Sequence, residues 1–263
     1  MGKIIKYIPD SPMPFGGFPA VIGLPGFVGT LEGGRIDAIL KELCSKGTAG
    51  YGVLYDGIDE ERITDRNRKV VCNFNLNSYT EDIRQAFERI SEDERINLGG
   101  VGVLAASISG CVFAHALVNK KLNGITPRRY ASVSPLVGYS SYRTERERRG
   151  LEMAIKEGIM KEIPITSPFD KERGIERVIP ASCADELKAL DSLSELRAGY
   201  SSRRMNVMTI IGGKDKTSNP KEMMDYHNAL HGDGRNLLVF SDEDHNIPLN
   251  LMREKVIEFF APL

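Results

Sequence analysis

Short apolar runs of strand length alternate along the chain with longer stretches in which apolar residues recur at helical spacing. This alternation predicts a mostly parallel sheet covered by helices. The first unit is "FPAVIGLPG", a strand closed by a Gly/Pro turn, after which Ile36, Ile39, Leu40 and Leu43 recur at helical spacing before Gly47. "GYGVLYDG" predicts the next strand. Beyond a polar loop, "SYTEDIRQAFERI" predicts a helix with Ile83, Phe87 and Ile90 on one face and Ser78 or Thr80 as its cap. The third unit, "VGVLAASISGCVFAHAL", is an apolar strand that runs into a helix through two serines. Further on, "RRYASVSP", "NVMTIIGG" and "NLLVF" predict strands. "PKEMMDYHNAL", with proline in its first turn, and "PLNLMREKVIEFF" predict helices.

Between Pro135 and Arg204 the pattern is interrupted by about 70 residues dense in charge. Within "RTERERRGLEMAIKEGIMKEI", Leu151, Ile155 and Ile159 repeat every four residues, the spacing of an amphipathic helix. The expected organisation is therefore a single doubly wound α/β domain over residues 1–263, with a helical cap inserted at 136–203.

Composition narrows the partners. The 35 basic and 36 acidic residues leave a formal charge of -1, so no overall field gathers nucleic acid or an anionic membrane. The four cysteines, Cys44, Cys72, Cys111 and Cys183, lack zinc-site spacing and the density of a disulfide scaffold. They read as reduced, mostly buried thiols. The N-terminal apolar run is too short for a signal peptide, and no stretch approaches the roughly 20 apolar residues of a membrane span, so a cytoplasmic address is expected.

In open α/β sheets ligands bind beyond the carboxyl ends of the strands, which directs attention to the polar residues that follow each apolar run. Four places qualify: Pro25-Gly26-Phe27, Ser107-Ile108-Ser109-Gly110, Gly213-Lys214-Asp215 and Asp244-His245. The second resembles a nucleophile elbow, a strand-to-helix turn whose positions two before and two after the nucleophile must be small. Size does not choose between Ser107 and Ser109. The strand does, because its apolar run ends at Ala106 and Ser107 is the first polar residue. A serine hydroxyl needs a base, and the base an orienting acid. Asp215 and His245 follow later strands in the order Ser, Asp, His, which is the order of that elbow's usual partners.

Other candidates have plainer explanations. Cys111 falls one turn into the helix, where a buried, inert thiol is expected. His227 and His231, four apart, lack a third metal ligand and read as a surface pair; His115 reads as packed or partly exposed. Asp56 reads as a loop anchor. Gly99-Gly100-x-Gly102 precedes a strand instead of opening a helix and fails as a phosphate loop.

With these residues in place, the sequence resembles the α/β-hydrolase superfamily over nearly its whole length. "VIGLPGFVG" is similar to the family's oxyanion strand, "GYGVLYDG" to its following strand, "VLAASISGC" to its elbow, "TIIGGKD" to its acid loop and "DEDHN" to its histidine loop. The resemblance implies Ser107 as nucleophile, Asp215 as acid, His245 as base, and the backbone N–H groups of Phe27 and Ile108 as oxyanion hole, with no metal or organic cofactor. Two positions depart from the family pattern. The elbow reads Ala-Ala-Ser-Ile-Ser-Gly where Gly-x-Ser-x-Gly-Gly is usual, and Pro25 stands where the oxyanion strand usually has histidine.

The inserted cap is similar to that of small esterases acting on acyl or cinnamoyl-type esters. The resemblance thus implies a serine hydrolase cleaving a small carboxylic ester through an acyl-enzyme. The same triad also serves thioesters and small amides. A non-catalytic relative that binds a small ligand or a protein partner, and a cap surface that makes a homodimer, are the alternatives of a different class.

Overall fold

The computed structural model describes residues 2–26, 34–56, 58–63, 68–138, 149, 152–153, 155–159, 161–164, 174–188, 190–200, 205–232 and 234–261. Seven strands form the main sheet: β1 (Lys3–Tyr7), β2 (Phe18–Leu24), β3 (Ala49–Leu54), β6 (Ile96–Ala106), β7 (Arg129–Val133), β10 (Asn206–Gly212) and β11 (Leu237–Phe240). Their order is β1-β3-β2-β6-β7-β10-β11. All neighbours pair in parallel except β1, which lies antiparallel on β3 at one edge. The sheet is the mostly parallel one that the hydrophobic pattern predicts. Only β1 is unannounced, since "KIIKY" is short and half-exposed.

Side chains along these strands alternate between two apolar layers, as a period of two requires. Val21, Leu104, Ala131, Met208 and Ile210 face one layer, completed by α1 (Arg35–Ser45) and the C-terminal helix Leu249–Phe260. Ala20, Ile22, Val103, Ala105, Tyr130, Val207 and Ile211 face the other, built with α2 (Leu76–Ser91), α3 (Ile108–Val118) and the helix Pro220–Ala229. Ile36, Ile39, Leu40 and Leu43 all point inward from α1. Each such side chain contributes about 1.5–3 kcal/mol by its removal from water.

Helix α2 begins one turn earlier than its serine and threonine suggest. Asn75 caps it by accepting from the Ser78 amide at 2.8 Å, and Thr80 lies inside the helix, its hydroxyl donating to the Leu76 carbonyl at 2.7 Å. Four cap-type residues, Asn75, Asn77, Ser78 and Thr80, lie within six positions, and the outermost one, with an extended backbone, takes the role.

A second, four-stranded sheet has the order β4-β5-β9-β8, from β4 (Ile58–Ile63), β5 (Arg68–Cys72), β8 (Glu162–Pro164) and β9 (Ile175–Pro180). It corrects the reading of 58–72 as a loop and of 136–203 as wholly helical. The second segment does hold helices, α4 (Ala184–Lys188) and α5 (Ser192–Gly199), the latter capped by the Asp191 side chain on the Ser194 amide. They are accompanied by β8 and β9, and β9 pairs with β5 from the first segment. These strands are short and charge-rich, so neither alternation nor an apolar run marks them. Ile159 lies past a turn at Gly158, whose φ of 69° ends the helical spacing, and is exposed; Leu151 lies outside the described residues. Helices Pro220–Ala229 and Leu249–Phe260 are α6 and α7.

Candidate active site

The strand ends gather the candidates at one edge of the sheet. Ser107 follows β6 directly and adopts φ 52°, ψ -123°. This is a left-handed conformation that costs an L residue on the order of 1–3 kcal/mol and persists only where surroundings enforce it. Here they do. The Ser107 amide donates to the Val133 carbonyl at 2.9 Å, and its carbonyl accepts from Gly110 and Leu136 at 3.0 Å each. The side chain is thereby lifted off the end of β6, and α3 starts at Ile108, whose amide belongs to the first turn that helices leave without internal partners.

His245 Nε2 lies 2.9 Å from Ser107 Oγ, and its Nδ1 lies 2.8 Å from Asp215 Oδ2. A carboxylate only accepts, so Nδ1 carries the proton and Nε2 is left to accept from the serine hydroxyl. The other carboxylate oxygen of Asp215 accepts from the amides of Thr217 at 2.7 Å and Ser218 at 2.9 Å. The Asp215 side chain is fully buried and that of His245 is 16% exposed, so the acid is sealed while the imidazole stays within reach of a ligand.

The acid loop and the histidine loop are fastened to each other by their backbones. Gly213 N donates to Phe240 O and Lys214 N to Glu243 O, both at 2.8 Å. A Cβ on Gly212 would lie 2.1 Å from the Asp244 carbonyl oxygen, so only glycine permits this approach. From the far side, Arg35 Nη1 donates to the Ile247 carbonyl at 2.6 Å and Nη2 to Asn246 Oδ1 at 3.1 Å. Nothing local in the sequence marks Arg35 or Gly212, because their partners are distant in the chain. Gly212→Ala is expected to cost about 1–3 kcal/mol through this backbone overlap, read as a lower urea midpoint with unchanged slope.

Ser109 and Cys111 are both buried in α3. Ser109 donates to the Pro25 carbonyl and accepts from the Tyr55 hydroxyl at 2.9 Å, contacts that its sequence neighbours do not announce. The Cys111 thiol is 3.6 Å from the Val137 carbonyl, and burial pushes its pKa up to about 12. Iodoacetamide at pH 8 is therefore expected to leave Cys111 unmodified in the folded protein and to alkylate it in urea, with peptide mass spectrometry as the readout.

Gly26 runs beside Ser107: an added Cβ on it would stand 3.2 Å from Ser107 Cβ. Phe27 lies outside the described residues. Among the other histidines, His115 Nδ1 pairs with Glu195 Oε1 at 2.8 Å, joining α3 to α5. His227 is buried, with Nδ1 2.9 Å from Thr209 Oγ1, and this corrects its reading as half of a surface pair. Helix α6 ends at Ala229, so His231, at φ 57°, no longer shares its face. The backbone at Asp56 is held by Asp82, whose Oδ2 accepts from the Asp56 amide at 2.7 Å. Among the described residues no group of three or more His, Cys, Asp or Glu side chains is placed to hold a metal ion, and no helix is long and apolar enough to cross a membrane.

No protein-family model and no curated protein matches the sequence. Solved structures do. DcsB, determined in complex with its substrate analogue, superposes with a TM-score of 0.71 at 14% identity, over 99% of this chain and 98% of that one. Est1E from Butyrivibrio proteoclasticus, determined with ferulic acid bound, gives 0.66 at 15% identity over 98% and 93%. The α/β hydrolase GrgF from Penicillium sp. sh18 gives 0.69 at 14% identity over 99% and 98%. The chain has the α/β-hydrolase fold. A monoacylglycerol lipase from Paleococcus ferrophilus shares it, with a TM-score of 0.66 at 12% identity over 99% and 98%. In this α/β-hydrolase fold Ser107 follows the central strand β6, and Asp215 and His245 follow β10 and β11, which lie to one side of it.

Proposed function

We propose that the protein is a serine hydrolase that cleaves small carboxylic esters through an acyl-enzyme. The observation that carries this reading is the unbroken hydrogen-bonded chain from the Asp215 carboxylate through His245 to the hydroxyl of Ser107, on a turn held at positive φ. His245 Nε2 takes the Ser107 proton as Oγ attacks the ester carbonyl, and returns it to the leaving alcohol as the carbon–oxygen bond breaks. Water then enters, His245 takes its proton, and the acid leaves as Ser107 regains its hydrogen. The charge on the tetrahedral oxygen is met by the Ile108 amide at the start of α3, with the Phe27 amide assigned as its partner from the sequence. One such donor is worth about 10² to 10³ in rate.

Est1E with its bound ferulic acid and the monoacylglycerol lipase are both ester-related relatives in fold, which supports the choice of oxygen esters. No cofactor enters any step. The test is labelling of the wild-type protein by a fluorophosphonate, with the adduct mapped by peptide mass, beside a panel of nitrophenyl esters graded in acyl length, one thioester and one anilide. A label on Ser107 with the esters turned over fastest is expected. Failure to label removes the serine-hydrolase reading, and a thioester or anilide preference moves the bond class.

A further inference from the structure

Two residues that depart from the family pattern meet at one hydrogen bond, from a side chain to a main-chain carbonyl. Ser109, two residues past the nucleophile where glycine is usual, donates its hydroxyl to the carbonyl of Pro25, which stands where the oxyanion strand usually has histidine. The parallel ladder between β2 and β6 ends at Leu24 opposite Ala105, so the Pro25 carbonyl is the first acceptor beyond it. Without Ser109 it would lose this buried partner.

Ser109 is itself held. The Tyr55 hydroxyl donates to it at 2.9 Å from just beyond β3, and burial raises the Tyr55 pKa, which keeps the phenol a donor. The Tyr55 ring stacks on Tyr79 with centroids 4.2 Å apart and planes within 1°, and Phe74 meets Tyr79 edge-on at 5.0 Å. The chain Tyr55 to Ser109 to Pro25 thus ties together the ends of the adjacent strands β3, β2 and β6. It ends on the peptide that joins Pro25 to Gly26, and Gly26 is the residue whose backbone lies against Ser107.

We propose that Ser109 is a positioning residue: its hydroxyl fixes the Pro25–Gly26 peptide against the elbow and so sets where the chain leaving β2 presents its amides to the oxyanion. This rests on the serine-hydrolase reading. The hydroxyl touches neither substrate nor reacting atoms, and it acts through the backbone of residues 25 and 26. In a pattern with glycine at position 109 no side chain is available for that task.

The test compares wild type, Ser109→Ala and Tyr55→Phe as full chains, with active sites counted by fluorophosphonate titration. In Ser109→Ala, kcat per titrated site for a nitrophenyl ester is expected to fall about 10- to 100-fold with KM changed less than about twofold, because a donor moved by about an ångström loses much of its worth. Affinity for a trifluoromethyl ketone, whose serine adduct carries the same oxyanion, should fall by the same factor as kcat/KM. Tyr55→Phe keeps the bond to Pro25 and removes its support, so a smaller loss in kcat is expected, and this variant carries the test if Ser109→Ala does not fold. A lower melting temperature with unchanged kcat per site and unchanged ketone affinity overturns the proposal. A wild type that neither labels nor hydrolyses any ester removes the serine-hydrolase reading and this inference with it, whereas an active wild type matched by both variants overturns the inference alone.

Discussion

Ser107→Ala is expected to abolish ester turnover and fluorophosphonate labelling together. The hydroxyl at the end of β6 is the group that His245 Nε2 meets at 2.9 Å, so its removal takes away the proton that the imidazole would accept. Loss of the nucleophile from such a triad lowers kcat on the order of a millionfold, and what survives, about 10³ to 10⁴ over water, comes from oxyanion donors and binding. Folding should be little affected, because the bonds that enforce the turn run from the Ser107 amide and carbonyl to Val133, Gly110 and Leu136 and not from its hydroxyl. Circular dichroism of the variant should match the wild type. Ser109→Ala is the discriminating companion: it must still label, more slowly, with the adduct on Ser107. A label lost from Ser109→Ala and retained in Ser107→Ala would reverse the assignment of nucleophile.

A residue's role shows in the sequence when its cause is local. Ser107 is the first polar residue after its apolar run, Asp215 follows its run closely and His245 lies in the polar loop after its own; strand ends are visible because apolar side chains stop where the sheet stops. The helix faces of α1 and α2 are visible for the same reason. What escapes is set by partners far away along the chain. Ser109 is 84 residues from Pro25 and 54 from Tyr55, and Arg35 is 212 from the loop it holds. Nothing local records such pairs. His227 escapes for a related reason: it looks like any polar residue on a helix until Thr209 is placed beneath it. The small sheet is hidden differently. Its strands pair across two separate excursions, β5 with β9, and their short, charged sequences show no alternation that would announce the buried Cys72, Val178 and Ile179.

Asp215→Asn tests how the base is prepared, and the two amides behind the carboxylate determine the outcome. In the wild type Oδ1 accepts from Thr217 and Ser218 while Oδ2 accepts the Nδ1 proton of His245. An asparagine must turn its carbonyl oxygen toward those two amides, because its NH2 group placed there would oppose two N–H donors in a buried site. The NH2 group then faces Nδ1 and donates to it. That reverses the tautomer: the ring proton moves to Nε2, which now donates toward Ser107 Oγ and can no longer accept from it. A fall in kcat of about 10⁴ is expected, with KM little changed and the fold retained. Asp215→Ala leaves no donor opposing Nδ1, so the ring keeps access to the productive tautomer, and the alanine variant should lose no more than the asparagine one despite the larger deletion. If asparagine proved nearly as active as aspartate, the Thr217 and Ser218 amides would not be orienting the group at 215, and the preparation of His245 would have to come from elsewhere.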